Sequence, residues 1–180
     1  MVCLISKRRF VMKNVDFFKD EKSIAEKCFG ICDDRDERIK TPAYVNTNIS
    51  EKEKWGAVVN NKTNVAINFI AVDNKIEIKR ANGETENRCD AMLHNPKNII
   101  FIELKNQRAS WIEHAVHEQL QTTIDIFKQN HDIMQFECRR AYVCNVRYPY
   151  FAYSHKQMAQ QFYQKNKVRL YIQREIDISK

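Results

Sequence analysis

NRCDAMLHNPKNIIFIELK, residues 87–105, holds the two strands from which the rest of the chain is read. Cys89, Ala91 and Leu93 alternate along the first run, and IIFIELK, 99–105, is rich in β-branched and aromatic residues. His94 to Asn98 between them is made of turn formers, so the segment predicts an antiparallel hairpin of strands 87–93 and 99–105. A turn centred between Pro96 and Lys97 sets Asp90 opposite Glu103. Directly opposed residues have Cβ atoms about 4.5–5.5 Å apart, and two carboxylates so placed repel unless something positive compensates them. A divalent cation is the simplest compensation.

The strand period of two puts Glu103 and Lys105 on one face, while Ile100, Ile102 and Leu104 turn to the other and anchor the strand. Asp90, Glu103 and Lys105 then converge. Hard carboxylate oxygens suit Mg²⁺ or Mn²⁺, and Mg²⁺ takes one or two protein carboxylates and keeps waters and phosphate oxygens as its other ligands. Such an ion activates water and stabilises charge on a phosphodiester. Lys105 would orient that water rather than remove its proton. The same charges also suit an ordinary surface hairpin in which Glu103 pairs with Lys105 or Arg88.

Outward from the hairpin, Ile112, Val116, Leu120, Ile124 and Phe127 recur every three or four residues behind a Ser110–Glu113 capping-box pattern, predicting a helix over 111–129. A strand over about 136–146, a helix after Ser154 and a strand near 168–173 follow. Before the hairpin, 64–72 (NVAINFIAV) and 75–80 (KIEIKR) read as strands joined by a tight turn at Asp73 and Asn74. Ser50 and Glu53, followed by Trp55, Val58 and Val59, predict a helix over about 51–61, and the apolar spacing of 16–29 predicts an earlier one. Helices and strands in this order make an α/β (α+β) chain.

The 180 residues, 43% hydrophobic with three Gly and three Pro, fit one domain able to bury a core. The formal charge of +7 suits an anionic partner, and residues 131–180, with nine Lys or Arg against four Asp or Glu, hold most of it. Six Cys without CxxC spacing suggest neither a zinc site nor a disulfide framework, and reduced thiols imply a cytoplasmic setting. No signal peptide and no apolar run of about 18 residues is evident, so no membrane association is expected.

Asp90 followed by Glu103, Leu104 and Lys105 across a turn resembles the motif of the PD-(D/E)XK nuclease superfamily, whose restriction endonuclease-like αβββαβ core, a central mixed sheet flanked by helices, is similar to the predicted order over about 50–147. The resemblance implies a metal-dependent nuclease, with DNA favoured over RNA, in a defence or DNA-maintenance setting. It implies Asp90 and Glu103 as metal ligands, Lys105 at the water and Gln119 in support. Gln119 stands 16 residues after Glu103, on the Ala115 and Thr123 side of the following helix, where members often carry a Gln; Gln121 is its rival. Cys89 replaces the Pro of the family name. Glu26, Glu51 and Glu53 are candidates for the Glu that many members add from an earlier helix, although Glu53 also has the capping reading. A homodimer is a reasonable arrangement for cutting two strands.

His114 and His117, one turn apart, could be metal ligands but suit an exposed helix face better. Trp111 could stack on a base, but packing over the core is the plainer use. Arg147 to Tyr153 (RYPYFAY), with Arg139, Arg140, Lys156, Lys165, Lys167 and Arg169, interleaves aromatics with cations as nucleic-acid surfaces do, or forms an aromatic corner. The alternative to an enzyme is a non-catalytic nucleic-acid-binding or interaction protein on the same fold.

Overall fold

The computed structural model describes residues 14–34, 40–106, 111–147 and 155–179. Two mixed sheets and a set of helices form the chain. The larger sheet has the order β1 (Lys22–Ile24), β5 (Ile67–Ala71), β6 (Ala91–His94), β7 (Asn98–Lys105), β8 (Cys138–Asn145) and β9 (Arg169–Ile172). Pairing is antiparallel from β1 to β7 and parallel from β7 to β9. The smaller sheet has the order β10 (Glu175–Asp177), β4 (Ala57–Asn60), β2 (Cys28–Cys32) and β3 (Tyr44–Asn46).

β7 lies inside this arrangement and is buried along its whole length. Its Ile99 and Phe101 share a core with Val116, Ile124 and Phe127 of the following helix. Its Ile100, Ile102 and Leu104 share another with Phe29, Ile31 and Val59 of the smaller sheet. The molecule is thus layered as helices, six-stranded sheet and four-stranded sheet, and a strand covered on both faces reads as the near-continuous apolar run seen at 99–104. α1 (Ile112–His114), a π-helical stretch Ala115–Leu120 and α2 (Gln121–Asn130) run on as one helix, and α3 (Lys156–Asn166) leads back to β9.

The hairpin register is as expected: Ala91 pairs with Ile102, Met92 with Phe101, Leu93 with Ile100 and His94 with Ile99. Asn95 makes the turn, its Oδ1 accepting from the backbone N–H groups of Lys97 and Asn98 at 3.0 and 2.8 Å. The helix after β7, β8, α3 and β9 also fall where the periodicity places them.

The N-terminal third does not. In place of a helix over 16–29 the chain makes a turn at 17–20, β1 and β2. The apolar residues taken for one stripe serve two layers, Phe17 in the helix-side core and Ile24 and Phe29 between the sheets. In place of a helix over 51–61 there is a single 3-10 stretch, Ile49–Lys54, capped by Asn48 rather than Ser50, and then β4. Gly56 ends that turn where a Cβ would meet Ile31 O and Leu104 Cδ1 at 3.0 Å, and Ala57, Val58 and Val59 extend. No α-helix therefore precedes β5, β6 and β7 among the described residues. Residues 75–80 form no strand: Lys79 makes an isolated bridge to Thr85, and both edges of β5 are taken by β1 and β6. The C-terminal residues join both sheets, since β9 widens the larger sheet and β10 pairs with β4.

Gly30 of β2 faces Trp55, which is fully buried; a Cβ at Gly30 would lie 2.1 Å from Trp55 Cγ. Gly30→Ala is expected to cost about 3 kcal/mol by overpacking, read as a lowered urea midpoint.

Candidate functional site

β6 begins at Ala91, so beyond the Ala91–Ile102 pair the edge of β7 meets side chain instead of ladder. Asp90 fills that place, its Oδ2 accepting the Leu104 N–H at 2.6 Å. That bond holds Asp90 next to Glu103, the residue before Leu104. Odd-numbered residues of β7 face the helix, so Glu103 and Lys105 point toward it. Lys105 Nζ lies 2.6 Å from Glu103 Oε1 and donates to Gln119 Oε1 at 2.5 Å. Gln119 Oε1 also meets His114 Nδ1 at 3.1 Å.

All three charged groups are withdrawn from water: Asp90 is 5% exposed, Glu103 0% and Lys105 6%. The ordinary surface-hairpin reading therefore fails on burial, although the Glu103–Lys105 pairing it invoked is present. Arg88 instead bonds Asp73 at 3.0 Å. Two neighbouring thiols register the carboxylates. Burial first, and then the charge of Glu103, push Cys89 up, with Asp90 adding to it. Burial likewise raises Cys144 against the pull of Arg174, and Asp90 and Glu103 add to the rise.

Both thiols thus stay protonated in the fold, and their raised values make a pH-dependent contribution. It is fully present below the ordinary thiol value of 9.0 and is lost as pH rises above it, because the unfolded chain releases protons that the folded chain retains. The native protein is expected to leave Cys89 and Cys144 unmodified by iodoacetamide at pH 8 and to lose unfolding free energy between pH 9 and 10.5. Mass spectrometry and urea titrations check the two outcomes.

Thr123, buried in α2, is the residue that sequence reasoning noticed by position but not by role. Its Oγ1 accepts the Cys89 N–H at 2.7 Å and donates to Gln119 O at 2.8 Å, tying the approach to Asp90 to the helix turn that carries Gln119. Thr123→Val should cost about 1–3 kcal/mol by stranding a buried N–H, with Thr123→Ser recovering most of it in the same unfolding assay. The π-helical stretch Ala115–Leu120 that presents Gln119 gave no sequence signal, although such turns often occur at functional sites. Asn145, paired in register with Lys105 and 1% exposed, was also missed. A polar residue at the carboxyl end of a parallel strand was the available clue.

Other expected residues lie elsewhere. Gln121 bonds Asn166 and Asp125 and links α2 to α3. Glu51 bonds Asn46 and Lys54, while Glu26 and Glu53 are exposed. Among the described residues no group of three or more His, Cys, Asp and Glu side chains could hold a metal, so none of these Glu completes one with Asp90 and Glu103. His114 and His117 are half exposed and face Glu118 and Glu113 along the helix. Trp111 is buried in the helix-side core. Arg140 is buried, bonding Asp177 O and Asn98, and Arg139 bonds Phe136 O and Lys167 O, so both brace the fold. Arg147 bonds Asn106 just beyond Lys105. The rest of the aromatic segment, 148–153, and Ser110 lie outside the described residues.

Comparison with family models, curated proteins and solved structures finds no match to this chain. The site is thus carried by its own chemistry. Two adjacent carboxylates fit a hard cation such as Mg²⁺, which needs no more from the protein, better than Zn²⁺ or Ca²⁺, which take larger protein ligand sets. No helix among the described residues is long and apolar enough to cross a membrane.

Proposed function

We propose that the chain is a metal-dependent nuclease that hydrolyses phosphodiester bonds, with DNA favoured over RNA. The observation that carries this reading is the buried cluster at the carboxyl end of β7: Asp90 bonded to the Leu104 N–H next to Glu103, with Lys105 between Glu103 and Gln119. Burying ionised groups is a poor route to stability, since apolar side chains of the same volume serve a core as well or better. A buried acid–acid–lysine group at a strand end is therefore better explained by chemistry.

Asp90 and Glu103 would hold Mg²⁺ or Mn²⁺, which when bound supplies an activated water and stabilises charge on the phosphoryl oxygens. Lys105 positions the water and offers its charge to the phosphate. Gln119 fixes the Lys105 ammonium, and His114 in turn bonds Gln119. Strands β5, β6 and β7, the following helix and β8 parallel to β7 support a restriction endonuclease-like core in which a 3-10 turn stands where the first helix is expected. A defence or DNA-maintenance setting follows from that resemblance.

A second reading, a nucleic-acid-binding or interaction protein without catalysis, is favoured by the Asp90–Leu104 bond and by the Glu103–Lys105 pair, which give Asp90 Oδ2 and Glu103 Oε1 partners without a metal. Incubating the purified protein with labelled single-stranded DNA, duplex DNA and RNA under Mg²⁺, Mn²⁺ or EDTA separates the two. Cutting that needs the metal supports the nuclease; binding without cutting under every metal supports the second reading.

A further inference from the structure

The helix that presents Gln119 ends at Asn130, about 16 Å further along at the usual helical rise. There, Lys128, Lys165 and Lys167 line one open cleft of about 620 Å³, with His131, Asp132 and Met134. Lys128 Nζ is 3.3 Å from Asn166 Oδ1. Burial first, and then the charge of Lys165 against the opposing pull of Asp125, hold the Lys128 ammonium below the usual lysine range. The nearby acids, Asp132 of the cleft lining among them, have neutral hydrogen-bond donors as partners, which do not cancel their charge. Asp132 Oδ1 accepts the Met134 N–H, and Asp125 Oδ1 accepts from Gln121.

Helix C-termini attract cations, which accounts for a lysine at the end of α2 and another at the end of α3. It covers Lys167, the C-cap of α3, as well, but not the backbone conformation of that residue. That residue caps α3 with φ 57° and ψ 28°, a left-handed conformation that Gly enters without steric cost and that a lysine side chain makes harder. Its Nζ lies 5.8 Å from the centre of the Tyr163 ring at the same helix end. A long cation kept where its backbone is strained points to a use for the cation.

We propose that this cleft is a second anion site, in which Lys128, Lys165 and Lys167 grip the phosphodiester backbone of a nucleic acid at a distance from the carboxylate cluster. The choice of nucleic acid as the anion rests on the nuclease reading; the convergence of the three lysines does not. Contacts of this kind release counterions, so each leaves its mark on the salt dependence of binding.

The test is equilibrium binding of the full chain to a 20-base-pair duplex DNA in EDTA, between 50 and 200 mM salt, for wild type, Lys167→Gly and a variant with all three lysines changed to Ala. The slope of log affinity against log salt should fall by ~0.9 for the single variant and by ~2.7 for the triple one. Over that fourfold range the wild type then loses ~40-fold more affinity than the triple variant. Lys167→Gly should melt no lower than wild type, which separates lost binding from lost folding. Unchanged slopes in both variants, or no duplex binding at 50 mM salt, would overturn the proposal. Because no cutting is needed in EDTA, a chain that shows these slopes yet cleaves nothing contradicts the nuclease reading alone.

Discussion

Lys105→Ala is expected to lower folding stability by about 3–5 kcal/mol, a large part of what a domain of this size has. Glu103 is fully buried, and Lys105 Nζ at 2.6 Å is the cation beside it. Removing the lysine leaves the carboxylate in a low-dielectric site with its countercharge gone, and the chain must either keep it there, protonate it or open locally. Gln119 still has His114 as a partner, so its loss adds little. The informative companion is the double variant Glu103→Leu with Lys105→Met, which removes both charges at similar volume. It should be clearly more stable than Lys105→Ala, because replacing a buried pair outright spares the desolvation that breaking it exposes. Urea unfolding at pH 7 measures both. A Lys105→Ala protein as stable as wild type would mean that water reaches Glu103.

Asp90→Asn addresses chemistry with less disturbance of the fold. The Asn side-chain oxygen can still accept the Leu104 N–H that Asp90 Oδ2 accepts at 2.6 Å, so the hairpin should survive within about 1 kcal/mol. The charge is lost, and with it half of the carboxylate pair proposed to hold the ion. Metal-dependent cleavage should then fall by at least about 10²–10³-fold, the scale of removing one group that stabilises transition-state charge. Single-turnover cleavage measures it, with the unfolding midpoint as control. Full activity in a folded Asp90→Asn protein would reduce Asp90 to a strand-closing residue.

The hairpin was legible because two local signals agree in it. The turn chemistry at Asn95 and the apolar strand 99–104 each fix the same register, and a one-residue slip would have turned Glu103 into the opposite core. Gln119 was legible for a similar reason, since its helix has a strong apolar stripe. What failed was decided by distant partners. Phe17 and Phe29 look like one helical face, yet they enter different cores, and only the pairing of β1 with β5 and of β2 with β4 says so. Ser50 and Glu53 form a capping pattern, but Trp55 and Gly56 are drawn into the packing beside Gly30 and Leu104, and the turn stops there. Segment 75–80 has strand composition, but β1 and β6 occupy both edges of the preceding strand β5.

Within the site, charge type and spacing were readable and burial was not. A sequence shows that Glu103 and Lys105 share a face; it does not show that the face is closed by a π-helical turn and by Thr123 bonding across to Cys89. That closure turns a common tripeptide into a buried ionic cluster. The third Glu was sought on helices that do not form, so the proposed metal binding would depend on Asp90 and Glu103 alone.

Mn²⁺ binding followed by electron paramagnetic resonance, for wild type and for Asp90→Asn and Glu103→Gln, tests this dependence most directly. The cluster as described predicts one Mn²⁺ per chain, displaced by excess Mg²⁺ and lost in each folded variant. A wild-type protein that leaves Mn²⁺ free at millimolar concentration, or variants that bind it as wild type does, would contradict the assignment of Asp90 and Glu103 as metal ligands.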